Sequence, residues 1–281
     1  MKKAIPTIAM VVLFVCGLSL FLYPTVSNLY NEYRNKAIIG EYEELVENVR
    51  PEEYKKAKEQ AANYNQYYQN PQKLEELGLT YESMLNVAGN GVMGYIEIPK
   101  ISVSLVIYHS IEENVLQRGI GHVEDSALPI GGETTHAVLA GHTGLPSAKL
   151  LTNIDHLNVG DRFYIHVLNE VLEYQIDDIS VVLPHETDRL NVVPGKDYVT
   201  LVTCTPYGVN SHRLLVRGVR VGSGSATDPD HLAVHQEIEP VALSTLLTVS
   251  LVGLAILGVG GWFLWRRISR RKKKGGEEDA S

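Results

Sequence analysis

Hydrophobic positions along the chain fall into three regimes. Two unbroken apolar blocks, 4–23 and 241–265, stand at opposite ends. Each is close to the ~20 residues that a helix needs to cross a hydrocarbon core. Lys2 and Lys3 precede the first block, and seven basic residues between Arg266 and Lys274 follow the second. Basic residues favour the cytoplasmic side of a span, so both termini are expected inside and 24–240 outside. A cleaved signal peptide is the alternative for the first block. Its apolar run through Leu20-Phe-Leu-Tyr23, with no small-x-small site after it, favours an uncleaved span.

Behind the first block, 28–69 is polar, rich in Glu, Lys, Tyr and Asn, and poor in Gly. Helices are expected over 38–49 and 51–62, the second opened by Pro51 in its first turn with Glu52 and Glu53 just behind. From Met93 the texture changes to short β-branched, alternating runs: 94–98, 103–108, 136–140, 161–167, 172–176, 179–183, 199–203 and 214–221. Asn90-Gly91, Pro99, Pro129, Pro146 and Pro194-Gly195 punctuate them. Many short strands with little helix between them predict a mainly β body, a closed barrel or a sandwich. The expected organisation is a stub and span at 1–27, a helical spacer at 28–91, the body at 92–222, a linker at 223–240, a second span at 241–265 and a basic tail at 266–281.

Charge sharpens this division. Of 25 Lys and Arg, two precede the first block and seven follow the second, while only three of 33 acidic residues lie in the tail. The part between the blocks therefore carries 16 basic against 30 acidic residues, a net charge near −14. Such a surface argues against nucleic-acid binding, whereas the basic tail suits an anionic leaflet. Cysteines are two: Cys16 inside the first block, and Cys204. An exported body with one cysteine forms no internal disulfide, so its thiol is catalytic, intermolecular or inert.

Cys204 ends the run Tyr198-Val-Thr-Leu-Val-Thr-Cys204 and is followed at once by Thr205-Pro-Tyr-Gly208. A thiol at the mouth of a strand suits a nucleophile, although a free cysteine is also a common small core residue. A cysteine nucleophile needs an imidazole or a positive charge beside it. His142, in the loop Gly141-His-Thr-Gly144 after an apolar run, is the favoured base, with His212 as its rival. His136 and His166 lie inside strand-like runs, as structural or surface residues. Arg213 opens the next run and suits an oxyanion donor. Arg217 competes with it, because strand alternation places both on one face, and spacing alone does not separate them.

Thr200-Leu-Val-Thr-Cys204, the nine-residue step to Arg213, and Gly141-His142 some sixty residues upstream resemble the sortase signature. Gly94-Tyr-Ile-Glu-Ile-Pro99, Leu145-Pro-Ser-Ala-Lys149 and Thr205-Pro-Tyr-Gly-Val-Asn210 resemble its pilus-associated subgroup, class C. The resemblance implies an eight-stranded barrel, N-terminal helices and two flanking membrane helices. It implies a transpeptidase in which Cys204 attacks a Leu-Pro-x-Thr-Gly-type sorting signal of a pilin or surface protein, His142 moves protons and Arg213 holds the oxyanion. A pilin lysine would then take the acyl group. No metal or organic cofactor is needed for that chemistry. Class C enzymes often carry an Asp-Pro-aromatic lid upstream of the barrel. Here the matching stretch, 70–86, has Asn70-Pro71-Gln72, so the lid is absent, shortened or built differently. The alternatives are transfer to a cell-wall precursor amine, a cysteine hydrolase of wall peptides, and a non-enzymatic surface scaffold.

Overall fold

The computed structural model describes residues 5–225 together with Gly253. The expected second span, the basic tail and the linker beyond 225 lie outside the described residues. Helix α1, Ile5–Glu47, merges the first expected span and the first spacer helix into one 43-residue element with Pro24 inside it. Among the described residues it is the one helix long and apolar enough to cross a membrane. Its polar half still carries a buried stripe. Asn35, Ile39, Tyr42 and Val46 recur at steps of four, three and four, which puts them on one helical face.

Helix α2, Pro51–Tyr67, starts as expected with proline in its first turn and Glu52 and Glu53 behind it. Helix α3, Pro71–Leu77, is capped by Asn70, whose side chain accepts from the Lys73 N–H at 3.2 Å. Gly78 ends it at φ +65°. The stretch corresponding to a lid therefore folds as α3 and a short turn at Tyr81–Ser83. Its Tyr81 is buried, bonded to the Ser110 N–H and facing His122.

Eight strands close into a barrel in the order β1-β2-β3-β4-β7-β8-β6-β5. They are β1 Val92–Ile98, β2 Val103–Tyr108, β3 Ile120–His122, β4 Thr135–Ala140, β5 Arg162–Val167, β6 Glu170–Val182, β7 Asp197–Thr205 and β8 His212–Ser225. The β2–β3 and β4–β7 pairs are parallel; the others are antiparallel. Ile96, Ile107, Ile120, Leu139, Phe163, Ile165, Leu172, Leu201 and Val216 belong to the main core and are essentially inaccessible.

The strand count matches the sequence reading, but not strand by strand. β3 is three residues long and too short to show a periodic signal. The runs 172–176 and 179–183 are one strand, β6, whose register shifts between Ile176 and Asp178. A bulge at Asp177 breaks the alternation there, so one strand reads as two. β8 runs on to Ser225, paired with Glu170, three residues into the expected linker.

β1 is buried on both faces, because α1 covers its outer side. Ile39, Tyr42 and Val46 form a second cluster with Tyr95, Val106 and Tyr108. The Tyr42 hydroxyl accepts from Leu168 N–H at 2.8 Å and donates to the Met93 carbonyl at 3.1 Å. On the other side of the barrel no helix among the described residues covers β7, and Val202 and Cys204 stay partly exposed on its outer face. That open face holds the candidate site.

Candidate active site

Strand register assembles the site. β4 and β7 are parallel neighbours with Ala140 opposite Val202. The Gly141 N–H extends the ladder by donating to the Val202 carbonyl at 3.0 Å. His142 and Cys204 each follow two residues beyond the Ala140–Val202 pair, His142 in the loop past the end of β4, so both lie at the same end of the barrel. Across the antiparallel β7–β8 pair, Cys204 is directly opposite Arg213. β7, β8 and the loop leaving β4 thus bring Cys204, Arg213 and His142 to one end of the barrel.

Side-chain alternation decides which face they share. Val199, Leu201 and Thr203 of β7 are buried on the inner side, with Val199 and Leu201 in the main core. Thr200, Val202 and Cys204 point outward. On β8 the core residues Leu214 and Val216 point inward, leaving Arg213, Leu215 and Arg217 outward with Cys204. Cys204 is a free, partly exposed thiol. This is the accessibility a nucleophile needs, and a core residue would not have it.

The two arginines that spacing left equivalent have different partners. Arg217 makes a two-pronged ion pair with the bulged Asp177, both N–O distances 3.0 Å, and lies 4.4 Å over the Tyr198 ring. The Asp177 carboxylate raises its already high pKa further. Its fork is occupied by the fold. Arg213 instead donates to the main-chain carbonyls of His212 at 3.0 Å and Asn210 at 3.3 Å. Both bonds are made by Nη1, which leaves the Nε and Nη2 N–H groups for another acceptor.

The histidines separate in the same way. His142 is about a quarter exposed, and its Nε2 lies 3.3 Å from Glu113 Oε2. Glu113 opens the short helix α4, Glu113–Leu116, and its other oxygen accepts from Gln117 Nε2 at 3.1 Å. These contacts hold the Glu113 pKa below the usual carboxylate range, the Gln117 bond first and the His142 charge next. Nothing in the sequence marked Glu113, which is 29 residues upstream and arrives through the β2–β3 crossover. His212 sits opposite Thr205, one residue out of phase with Arg213, with its Nδ1 2.9 Å from Ser211 Oγ. His136 is buried; its Nε2 is 2.7 Å from Thr200 Oγ1 and its Nδ1 3.0 Å from the Asn191 carbonyl. His166 is buried with its Nε2 3.0 Å from Glu97 Oε2.

The loops after His142 and Cys204 touch. A Cβ on Gly144 would meet the Tyr207 ring at 2.4 Å, and Gly144 has φ +78°. Only glycine allows both that approach and that backbone. Among the described residues no group of His, Cys, Asp and Glu is arranged to hold a metal ion.

A closed barrel with a partly exposed thiol at one end, opposite an arginine and at the same end as a histidine, suits a class of cysteine acyl-transfer enzymes. Residues 96–221 match the family described as "Sortase domain". The chain is 46% identical to sortase C1 of Streptococcus agalactiae, covering 66% of this chain and 98% of that one, with a TM-score of 0.62. Sortase C of Streptococcus pneumoniae is 37% identical over 68% of this chain and all of its own, with a TM-score of 0.60. Sortase A of Bacillus anthracis is 29% identical over 79% of this chain and 97% of its own length. The chain belongs to the sortase family, among the class C sortases, and is a cysteine transpeptidase.

Proposed function

We propose that this transpeptidase is anchored in the membrane and polymerises pilins. Cys204 Sγ attacks the threonine carbonyl of a Leu-Pro-x-Thr-Gly-type sorting signal. The carbonyl π pair moves onto oxygen, where Arg213 donates to the oxyanion. As the tetrahedral species collapses, the Thr–Gly C–N bond breaks and His142 gives its proton to the departing glycine amine. A thioester on Cys204 remains. A lysine amine of a second pilin then attacks it, His142 takes the proton, and the thiolate leaves an isopeptide bond behind.

The observation that supports this reading is the register of β4, β7 and β8, in which Cys204 is opposite Arg213 and the end of β4 that leads to His142 pairs beside Val202. The pilus branch is favoured over a wall-anchoring role because structures of class C enzymes match at 37–46% identity, against 29% for the Bacillus anthracis sortase A. The Streptococcus pneumoniae sortase C structure is itself described as giving insight into pilin substrate specificity. Membrane anchoring rests on the apolar half of α1.

Incubation of the protein with a sorting-signal peptide should give a thioester adduct at Cys204, detectable by mass spectrometry. Cys204→Ala should show neither adduct nor product. Full transpeptidation by Cys204→Ala would sink the mechanism. Purified pilin should give ladders, whereas a wall-peptide amine should give poor single adducts; the opposite preference would favour the anchoring role.

A further inference from the structure

We propose that the end of the barrel carrying Cys204 faces the bilayer and rests against its headgroup layer. This orientation rests on the proposed reading that the apolar half of α1 crosses the membrane, and on the direction in which α1 runs along the barrel.

The contacts of α1 with the barrel follow one another in order. Asn28 Oδ1 accepts from the Lys149 N–H at 2.7 Å, and Asn31 Nδ2 donates to the Ser147 carbonyl at 2.8 Å. Ser147 and Lys149 belong to the loop that directly follows His142. Asn35 comes next, bonded to the Arg118 carbonyl and the Val106 N–H. Tyr42 then reaches Met93 and Leu168, and Val46 packs in the cluster that holds Val92. Val92 opens β1 and Leu168 follows β5, so this last part lies at the end of the barrel away from Ile98. The helix thus climbs from the His142 end to the opposite end. From residue 28 to 42 it rises about 21 Å at ~1.5 Å per residue. Strand β7, from Asp197 to Cys204, spans roughly 23 Å at ~3.3 Å per residue. The docked half of α1 therefore matches the height of the wall it crosses.

Below Asn28 the same helix continues into the apolar run, away from the barrel and past its Cys204 end. From Tyr23, where that run closes, to Asn31 is about 12 Å along the axis. A membrane surface near Tyr23 then lies within roughly one or two helix diameters of the loop after His142.

Exposed aromatic and apolar side chains agree with this. On α1, Tyr23, Tyr30 and Tyr33 are 55%, 64% and 74% exposed, in the position where aromatic residues line a membrane interface. At the Cys204 end, Tyr207, Val209 and Val181 are 70%, 69% and 59% exposed, on the β7–β8 loop and the end of β6. Charged residues lie at both ends: Lys100, Asp161 and Lys149 on the Cys204 side, and Lys58, Glu133, Glu170, Lys196 and Asp197 around a wide depression on the other.

The test uses the full chain with Cys16→Ala and Cys204→Ala, and single cysteines introduced as Lys149→Cys, Val209→Cys, Glu133→Cys or Lys196→Cys. Each is labelled with a thiol-reactive fluorophore and reconstituted into phosphatidylcholine–phosphatidylglycerol vesicles containing headgroup-spin-labelled lipid. Positions 149 and 209 should be quenched at least threefold more than 133 and 196. Equal or reversed quenching, in protein that floats with the vesicles, overturns the orientation alone. Protein that fails to float shows instead that α1 is not a membrane anchor, and the orientation falls with it.

Discussion

Replacing Tyr42 by phenylalanine removes one oxygen atom and tests how α1 is held on the barrel. The hydroxyl is buried at 3% residue exposure and joins two strand ends, accepting from Leu168 N–H at 2.8 Å and donating to the Met93 carbonyl at 3.1 Å. Phenylalanine keeps the ring in the cluster with Tyr95 and Val46 but leaves a buried N–H and a buried C=O without that partner. An unsatisfied buried polar group costs about 1–3 kcal/mol. Two such groups, less the desolvation no longer needed for the hydroxyl, place the loss at about 2–4 kcal/mol. Tyr33→Phe, at a 74% exposed position of the same helix, should change stability by less than about 0.5 kcal/mol. Urea denaturation of both variants and the parent, in detergent and followed by tyrosine fluorescence and circular dichroism, measures the difference. With a slope of about 2–3 kcal/mol per molar urea, Tyr42→Phe should lower the midpoint by roughly 1 M. A Tyr42→Phe midpoint equal to that of Tyr33→Phe would show that the hydroxyl does not clamp the helix.

Acid should loosen the region behind β3. His122 is buried, its Nε2–H donates to the Ala127 carbonyl at 2.8 Å, and burial pushes its pKa down from 6.5 to about 4. Because the unfolded chain binds this proton more tightly, the contribution is complete above pH 6.5 and is lost as pH falls towards 4, about 3 kcal/mol in all. His122→Gln should flatten that part of the stability–pH curve, and an unchanged slope would contradict the assignment. Arg213→Ala should lower transpeptidation about 10²–10³-fold with folding intact, as loss of an oxyanion donor does. Arg217→Ala should act mainly on stability, since it strands Asp177; equal kinetic losses in the two variants would undo the distinction between them. Gly144→Ala should reduce turnover, because its Cβ would meet the Tyr207 ring at 2.4 Å and its φ is +78°. Adding Tyr207→Ala should restore only part of that loss, the backbone strain remaining, and full recovery would place the whole effect in the clash.

Much of this protein is written in local pattern. Apolar length marked the block at 4–23 as a helix, and alternation marked most strands, because each of those signals depends on neighbours in the chain. The position of Cys204 at a strand mouth, with Arg213 nine residues on, is legible for the same reason: a strand, a short turn and a returning strand bring those two residues opposite one another. Strand β3 was not legible, since three residues carry no period. The bulge at Asp177 misled the pattern, because an inserted residue inverts the alternation that defines a strand.

Only the tertiary structure could decide what depends on pairings distant in sequence. His142 and Cys204 are brought to the same end of the barrel by a parallel register, sixty-two residues apart, that no local turn dictates. Arg217 is set aside because the Asp177 bulge, forty residues away, presents a carboxylate to its fork. The direction of α1 is likewise a matter of packing: the sequence alone determines that an apolar helix leads into the barrel, but Asn28, Asn31, Asn35 and Tyr42 meet their barrel partners in one order only. That order sets which end of the barrel lies towards the apolar half of the helix.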